Sequence, residues 1–276
     1  MVNITRLLLS LFLVLISLWN TGKSSWKYSA FLQLSSGKYI YTTNTSSYYF
    51  YSNFQYEHTL FNITASIPFL MQNTDLVANS GAGMLPGHAT NFESMGHADN
   101  MMGSGRKMTS ETSQFHLGFG DILLSSSLNV IKEKGIRPDL EISGQLKVPT
   151  ASSEKGFGTG KWDYSGGISL NKSFGSNMVV LDLSYISLGD PEGAEFRDAL
   201  SFGIGGGRFF NGTKYALLIY YNAYTTVLEG YDPPEQLIVG VNLRTSPGYI
   251  LSGMLGVGLS ETSPDFSISL GTTFSL

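Results

Sequence analysis

The strongest constraint in this sequence is an alternation of apolar residues with small or polar residues that runs through most of the chain. The C-terminal segment 266–276 reads FSISLGTTFSL, and the segment 237–244 reads LIVGVNLR. Successive side chains of a β-strand point to opposite faces, so a period of two gives one apolar face and one polar or small face. The alternation therefore predicts amphipathic strands, and no helical periodicity of useful length competes with it.

Twelve segments of the chain carry this strand pattern. No internal repeat relates them to one another. They fall near 26–35, 45–56, 60–70, 114–131, 138–149, 162–173, 177–188, 199–209, 213–225, 235–244, 248–259 and 265–275.

The connections between these segments alternate strictly between short and long. Short turns fall at 58–59, 133–135, 174–176, 211–212 and 246–248, and several carry a glycine where a hairpin needs positive φ. Longer connections run about 36–44, 71–113, 150–161, 189–198, 226–234 and 260–264. Short periplasmic turns and long extracellular loops are typical of an outer-membrane barrel, whereas a soluble sandwich has no reason to sort its loops. We therefore predict an all-β fold, a transmembrane antiparallel up-and-down β-barrel of about 12 strands.

The composition suits a chain that is solvated by lipid over its middle. Charged residues make up 14% of the chain, against about 25% in soluble domains. Without residues 1–24 the chain has 15 basic residues (17 less Arg6 and Lys23) and 21 acidic ones, a net charge of −6. A nucleic-acid partner normally requires a basic face, so none is expected. The absence of cysteine excludes disulfides, thiolate metal sites and a lipoprotein anchor.

The two ends of the chain carry export signals. A basic start, the 13-residue apolar run 7–19 and small residues at 21–25 predict a signal peptide over 1–24, cleaved within 22–25. The run is too short for a transmembrane helix, which needs about 20 residues. The mature domain would be 25–276, located in the outer membrane of a Gram-negative bacterium with membrane lipid around it. Phe274 and the final Leu276 continue the apolar phase that the outer-membrane insertion machinery reads, although most barrels end on Phe.

The polar phase of the strands identifies candidate lumen residues of both charge signs. A barrel of this size is narrower than the open porins of 16–18 strands. These side chains could line a narrow selective path, line a plugged one, or only form hydrogen bonds across the lumen. The candidates are Asp121, Glu141, Gln145, Lys147, Asn171, Asp182, Asn222, Asn242 and Arg244.

Four stretches of the sequence resemble motifs of a known outer-membrane family. They are GFGDI at 118–122, LKVPT at 146–150, GFGTGKWDY at 156–164 and LGDP at 188–191. In this order and spacing they resemble the outer-membrane transporter family of the meta-pathway of phenol degradation. The resemblance is good over 114–191 and general elsewhere. It implies a barrel that takes up aromatic or other hydrophobic compounds, and it carries over no catalytic residue. We interpret the glycines of 156–160 as serving loop shape.

The long connection 71–113 is rich in methionine and histidine. Thioether and imidazole groups suit Cu(I) or Ag(I), so a metal site is one hypothesis for this loop. The alternative is a loop that folds into the pore and uses methionine as adaptable apolar filler. No other cofactor is expected. The candidate metal ligands are Met84, His88, Met95, His97, Met101 and Met102.

The function that the sequence favours is passive transport of small hydrophobic or aromatic solutes. The alternatives are a structural or adhesin-like outer-membrane protein, or a metal-handling barrel that uses the long loop. No enzyme activity is expected, because the chain has four histidines and lacks G-x-S-x-G, H-E-x-x-H and P-loop patterns. The sequence does not identify the solute, the oligomeric state or whether the pore is open.

Overall fold

A computed structural model describes most of the chain. The described residues are 24–41, 44–73, 77–80, 83–86, 115–153, 155–191 and 195–276. The predicted signal peptide lies outside these ranges apart from Ser24, so its cleavage stays a prediction. Within the described ranges no helix is long and apolar enough to cross a membrane.

Fifteen strands make up the regular structure of the described residues. All of them lie in antiparallel pairings. They are β1 (Ser24–Gly37), β2 (Thr45–His58), β3 (Phe61–Gln72), β4 (Val77–Ser80), β5 (Gly83–Pro86), β6 (His116–Phe119), β7 (Ile122–Ile131), β8 (Asp139–Val148), β9 (Asp163–Phe174), β10 (Asn177–Ser187), β11 (Ala199–Phe210), β12 (Tyr215–Tyr224), β13 (Glu235–Ser246), β14 (Tyr249–Gly258) and β15 (Phe266–Ser275).

The main sheet closes on itself as a barrel. Its strands pair with their neighbours in sequence, and β1 pairs with both β2 and β15. β6 and β7 share the partner β3 and together occupy one position in the barrel wall, while β4 and β5 form a separate hairpin. The barrel therefore has 12 strand positions, so the predicted fold class and strand number are confirmed.

The predicted strand 114–131 is interrupted at Gly120 and Asp121. Phe69 pairs with Phe119, but Ser66 pairs with Leu123, so the register against β3 shifts by one residue. The facing residue on β3 is Pro68, which cannot donate to the ladder, and its carbonyl accepts the amide of Gly120 at 2.9 Å. A β-bulge at this position is the result.

The two faces of the barrel wall differ in chemistry. On the outer face large apolar side chains are exposed, as at Ile204 (53%), Leu255 (57%) and Leu270 (63%). On the inner face, the ladder partners of Asp182 are Ser169 and Gly203. A closed sheet with an apolar exterior matches what a lipid bilayer requires of a spanning β-structure.

The connections alternate in length as the sequence predicts, with one exception: 132–138 has seven residues, as many as 38–44 and 259–265. The short ones are 59–60, 132–138, 175–176, 211–214 and 247–248, and Gly175 (φ 63°) and Gly248 (φ 80°) have the left-handed conformation that tight hairpins use. The long connections 38–44, 73–115, 149–162, 188–198, 225–234 and 259–265 join strand ends at the other end of the barrel. β1 begins at the short-turn end, where Lys27 pairs with Ser275.

The assignment of the two faces can be tested with neighbouring residues of β12. We expect Ile219→Arg to destabilise the barrel by about 2–4 kcal/mol, because the charge would face the lipid near the bilayer midplane. Leu218→Arg places the same side chain on the inner face between Gly207 and Gly240, so its cost should be much smaller. Urea unfolding of the lipid-reconstituted barrel measures both, and equal losses would contradict the assigned faces.

Candidate functional site

A cluster of buried charges lies inside the barrel at its long-loop end. The ammonium group of Lys147 lies 3.0 Å from a carboxylate oxygen of Asp163 and 3.3 Å from one of Asp121. It also donates to the hydroxyl of Thr159 at 2.6 Å. All four residues, which we call the Lys147 cluster, are at most 4% exposed. Charges so deeply buried are stable only when paired and hydrogen-bonded, as they are here.

The two carboxylates of the Lys147 cluster also hold loop backbone. Asp121 accepts the amide of Ala151 at 2.9 Å, and Asp163 accepts the amide of Gly189 at 3.0 Å. Such charge-assisted bonds are stronger than bonds between neutral groups. The cluster therefore fastens the connections 149–162 and 188–198 to the barrel wall.

Glycines of the connection 149–162 give the Lys147 cluster its space. A Cβ atom at Gly158 would stand 2.4 Å from a carboxylate oxygen of Asp121, so no side chain fits there. Gly156 (φ 70°) and Gly160 (φ 69°) have left-handed backbones on either side. Gly156 and Gly160 therefore fit the interpretation of these glycines as residues that shape the loop. Gly158 instead leaves space for the carboxylate of Asp121.

Phe157 lies in the same connection as Thr159 of the cluster and has a buried apolar side chain. It is 2% exposed and packs with Leu70 and Tyr49. A Cβ atom at Gly118 would stand 2.2 Å from the Phe157 ring, so the ring fits only because that position of β6 has no side chain. Tyr51, which stacks on Tyr49 with ring centroids 5.5 Å apart, extends this apolar patch.

Two further apolar clusters fill the long-loop end, which we call the mouth of the barrel. Ile40 packs against both, so connections 38–44, 188–198 and 225–234 meet there with Val77. Burial raises the pKa of Tyr39 to about 12, and its hydroxyl lies 3.5 Å from that of Ser35. Tyr39 therefore stays neutral at physiological pH. The members of the two clusters are Ile186, Leu188, Phe196, Ala199, Val227 and Leu228 in one, and Tyr39, Tyr41 and Val77 in the other.

Asp182 is the centre of a polar group farther down the barrel. It accepts the hydroxyl of Tyr220 at 2.8 Å and the hydroxyl of Ser169. The ring of Tyr220 lies over Gly203 and Gly205, where a Cβ atom would collide with it. The glycines of β11 thus give the Tyr220 ring room to lie against the inner wall.

All nine candidate lumen residues share the inner phase of the ladder, but only Asp121 and Lys147 lie in one cluster. The others have separate neighbours around the wall. Asp182 contacts Tyr220 and Ser169, Asn222 donates to Ser201, Asn242 accepts from Ser252, Arg244 donates to Thr213, and Glu141, Gln145 and Asn171 are ladder partners of Ser169, Ser165 and Asp139. Whether these residues conduct a solute stays a prediction.

Sequence reasoning missed four residues that the structure places at this site. Asp163 shares the phase of the lumen residues of β9, so the alternation could have identified it. Tyr220 shares the phase of Asn222 on β12. Thr159 and Phe157 lie in a connection, where no periodicity applies, and only the resemblance motif marked their segment.

The candidate metal ligands lie almost wholly outside the described residues. This holds for His88, Met95, His97, Met101 and Met102, and the side chain of Met84 in β5 is not described either. Within the described part of the chain no group of three His, Asp or Glu residues is arranged to hold a metal ion. The metal hypothesis therefore stays a prediction for the loop 71–113.

Solved structures resemble this fold, although the sequence matches no protein-family model and no curated protein. An outer-membrane channel from Pseudomonas putida F1 has a TM-score of 0.62 at 13% identity, covering 92% of this chain and 96% of that one. The KdgM porin has a TM-score of 0.52 at 5% identity, covering 91% and 99%. The chain thus has the fold of outer-membrane β-barrel channels. The resemblance to the phenol meta-pathway family stays a prediction.

The Lys147 cluster can be tested by removing its cation. We expect Lys147→Met to destabilise the barrel by about 3–5 kcal/mol, because two buried carboxylates lose their counter-charge. Lys27→Met is the matched control: Lys27 lies 2.6 Å from Glu57 with both side chains partly exposed. Its removal should cost about 1 kcal/mol or less.

A triple variant separates charge from packing in the same assay. K147M/D121N/D163N removes the uncompensated charges and keeps hydrogen-bond acceptors for Ala151 and Gly189. It should recover much of the free energy of unfolding that Lys147→Met loses. If Lys147→Met costs no more than Lys27→Met, or if the triple variant is the least stable, the assigned role of the cluster is wrong.

Proposed function

We propose that this protein is a passive outer-membrane channel for small hydrophobic or aromatic solutes. The observation that carries the proposal is a closed barrel of 12 strand positions with an apolar exterior and an inner face of mostly small and polar residues, among which apolar ones such as Val180, Leu218 and Met254 also lie. A chain of this kind requires a bilayer around it and has an interior through which a solute can pass. The even strand number and the alternation of connections fit the outer membrane of a Gram-negative bacterium.

The apolar residues at the mouth of the barrel support the proposal that the solute is apolar. Leu70, Phe157 and Tyr49 pack together at the mouth, each at most 2% exposed, and Tyr51 stacks on Tyr49. A hydrophobic or aromatic molecule that enters between these side chains would exchange water for apolar contacts, whereas a sugar would gain little. The two similar solved structures, an outer-membrane channel and a porin, support a channel, and the resemblance of 114–191 to an aromatic-uptake family supports the apolar solute.

Phe157 is the residue that we propose limits entry. Its backbone is anchored through the Lys147 cluster, whereas its ring is held by apolar contacts alone. A rotation of the ring could therefore open a path without breaking a buried ion pair. Farther down the barrel, the glycines of β11 let the Tyr220 ring lie against the inner wall.

The experiment combines conductance with uptake. Purified protein in planar bilayers should conduct, and cells of a Gram-negative host that express it should take up toluene faster than cells without it, with little change for glucose.

Phe157→Ala should raise conductance and toluene uptake several-fold, because it removes the ring that closes the mouth. Phe174→Ala removes the same side chain from the outer face, where Phe174 is 59% exposed, and should change neither.

Two outcomes would count against the channel. Absence of conductance together with unchanged toluene uptake would favour a structural or adhesin-like role. Conductance without any preference for toluene over glucose would retain the channel and reject the hydrophobic solute.

The Met and His loop is tested separately, by Cu(I) titration of a peptide covering 81–108 and of a version with Met→Leu and His→Ala substitutions. Equal affinity of the two peptides for Cu(I) would reject the metal hypothesis.

A further inference from the structure

The outer face of the barrel has an apolar groove near its short-turn end. The groove has a volume of ≈ 440 Å³ and crosses β12 to β15. Its outward side chains include Tyr215, Leu217, Val241, Leu251 and Leu270, with Phe210 at one end.

Gly253 forms the floor of this groove. Leu217, Val241, Gly253 and Leu270 are neighbours in one row across four strands. The row is interrupted where glycine has no side chain, and a Cβ atom there would stand 3.4 Å from Val241 and 3.5 Å from Leu270. The depression is therefore a property of the backbone and its neighbours, and a side chain at 253 would occupy it.

Two cations lie at the short-turn end of the groove. The guanidinium carbon of Arg208 is 5.4 Å from the centroid of the Phe210 ring, and the ammonium of Lys214 is 5.6 Å from that of Tyr215. Phe210 and Tyr215 are ladder partners, and both rings line the groove. Within the described part of the chain, neither cation forms a salt bridge.

Lys172 shows the same arrangement with its charge already paired. It lies 5.7 Å from the Phe174 ring at the short-turn end of β9, bonds the carboxylate of Glu133 and donates to the carbonyl of Gly135 at 2.7 Å. Arg208 and Lys214 have the aromatic contact without the carboxylate. Together they offer two positive charges beside an apolar groove, at the level where the barrel meets the membrane interface.

A second outer groove provides the contrast. It has a volume of ≈ 430 Å³ around Gly166, with Ile142, Ile168, Leu183 and Leu200 among its lining residues. Neither groove has a lysine or arginine among its lining residues, but within the described residues no cation lies over an aromatic ring of this second groove, whose Tyr185 instead bonds the carboxylate of Asp198 through its hydroxyl. An apolar groove alone fits any lipid chain, whereas the groove at Gly253 also fits an anionic group.

We propose that the groove at Gly253 binds an anionic glycerophospholipid of the periplasmic leaflet. One acyl chain lies in the groove, and the phosphate lies between Arg208 and Lys214. The proposal depends on the barrel residing in the outer membrane with its short turns in the periplasm. Each basic residue at a membrane surface contributes about 1 kcal/mol of attraction to anionic lipid, so the pair accounts for about 30-fold in affinity.

The test measures lipid retained by the mature barrel in native mass spectrometry, after exchange against phosphatidylglycerol, phosphatidylcholine or lipid A. The wild-type barrel should retain phosphatidylglycerol in preference to the other two. The variant R208Q/K214Q should bind phosphatidylglycerol about 30-fold more weakly, since both charges are lost. Gly253→Leu should also weaken it, because the side chain fills the groove. Heat-modifiable migration in gels confirms that each variant is folded.

Matched controls make the result specific. K134Q/R137Q removes two basic residues from the β7–β8 connection at the same end of the barrel, and Gly166→Leu fills the other groove; neither should change retention. Equal retention of phosphatidylglycerol by R208Q/K214Q, or a preference for lipid A or phosphatidylcholine, would overturn the proposal. Loss of lipid selectivity with normal conductance rejects only the lipid site, whereas selective retention without conductance rejects only the channel.

Discussion

Satisfaction of backbone hydrogen bonds in lipid is the constraint on which the whole structure depends. Hydrocarbon offers no partner to an N–H or C=O group, so the sheet must close, and β1 closes it by pairing with β15 from Lys27 to Ser36. Closure then determines the rest. It divides each strand into an outward apolar and an inward polar phase, and it gathers the long connections at one end. Those connections supply the residues that cover the lumen.

The sequence predicts the parts of the structure that depend on local periodicity. The boundaries of β8, near 138–149, and β15, near 265–275, lie within a residue of Asp139–Val148 and Phe266–Ser275, because lipid outside and lumen inside impose a strict period of two. Prediction from the sequence fails for contacts that join distant segments, because no periodicity marks them. Asp121, Lys147 and Thr159 come from three segments, and only the closed barrel shows that they meet. The bulge at Gly120 needs the facing Pro68, which no single-strand pattern reveals.

Two kinds of contact hold the residues at the mouth of the barrel. The connections are held by buried ion pairs and charge-assisted bonds, as Lys147 with Asp163 and Asp163 with Gly189 show. The apolar side chains there are held by dispersion and hydrophobic contacts, as Phe157 shows. Side-chain rotation is far less costly than separation of a buried ion pair, so the mouth can rearrange while its framework persists.

The bulge at Gly120 marks the point where the barrel wall changes its neighbours. Beyond it, β6 pairs with β3 on one side, while β8 ends at Val148, opposite Ile122, so within the described residues no strand continues the ladder along the other edge of β6. The connection 149–162 takes that place: Thr150 accepts the amide of Ile122, and Phe157 lies against Gly118. This segment is therefore both a cover for the lumen and a part of the barrel circumference. Its length is set by the gap that it bridges, which leaves it less free to accept insertions and deletions than an ordinary surface loop.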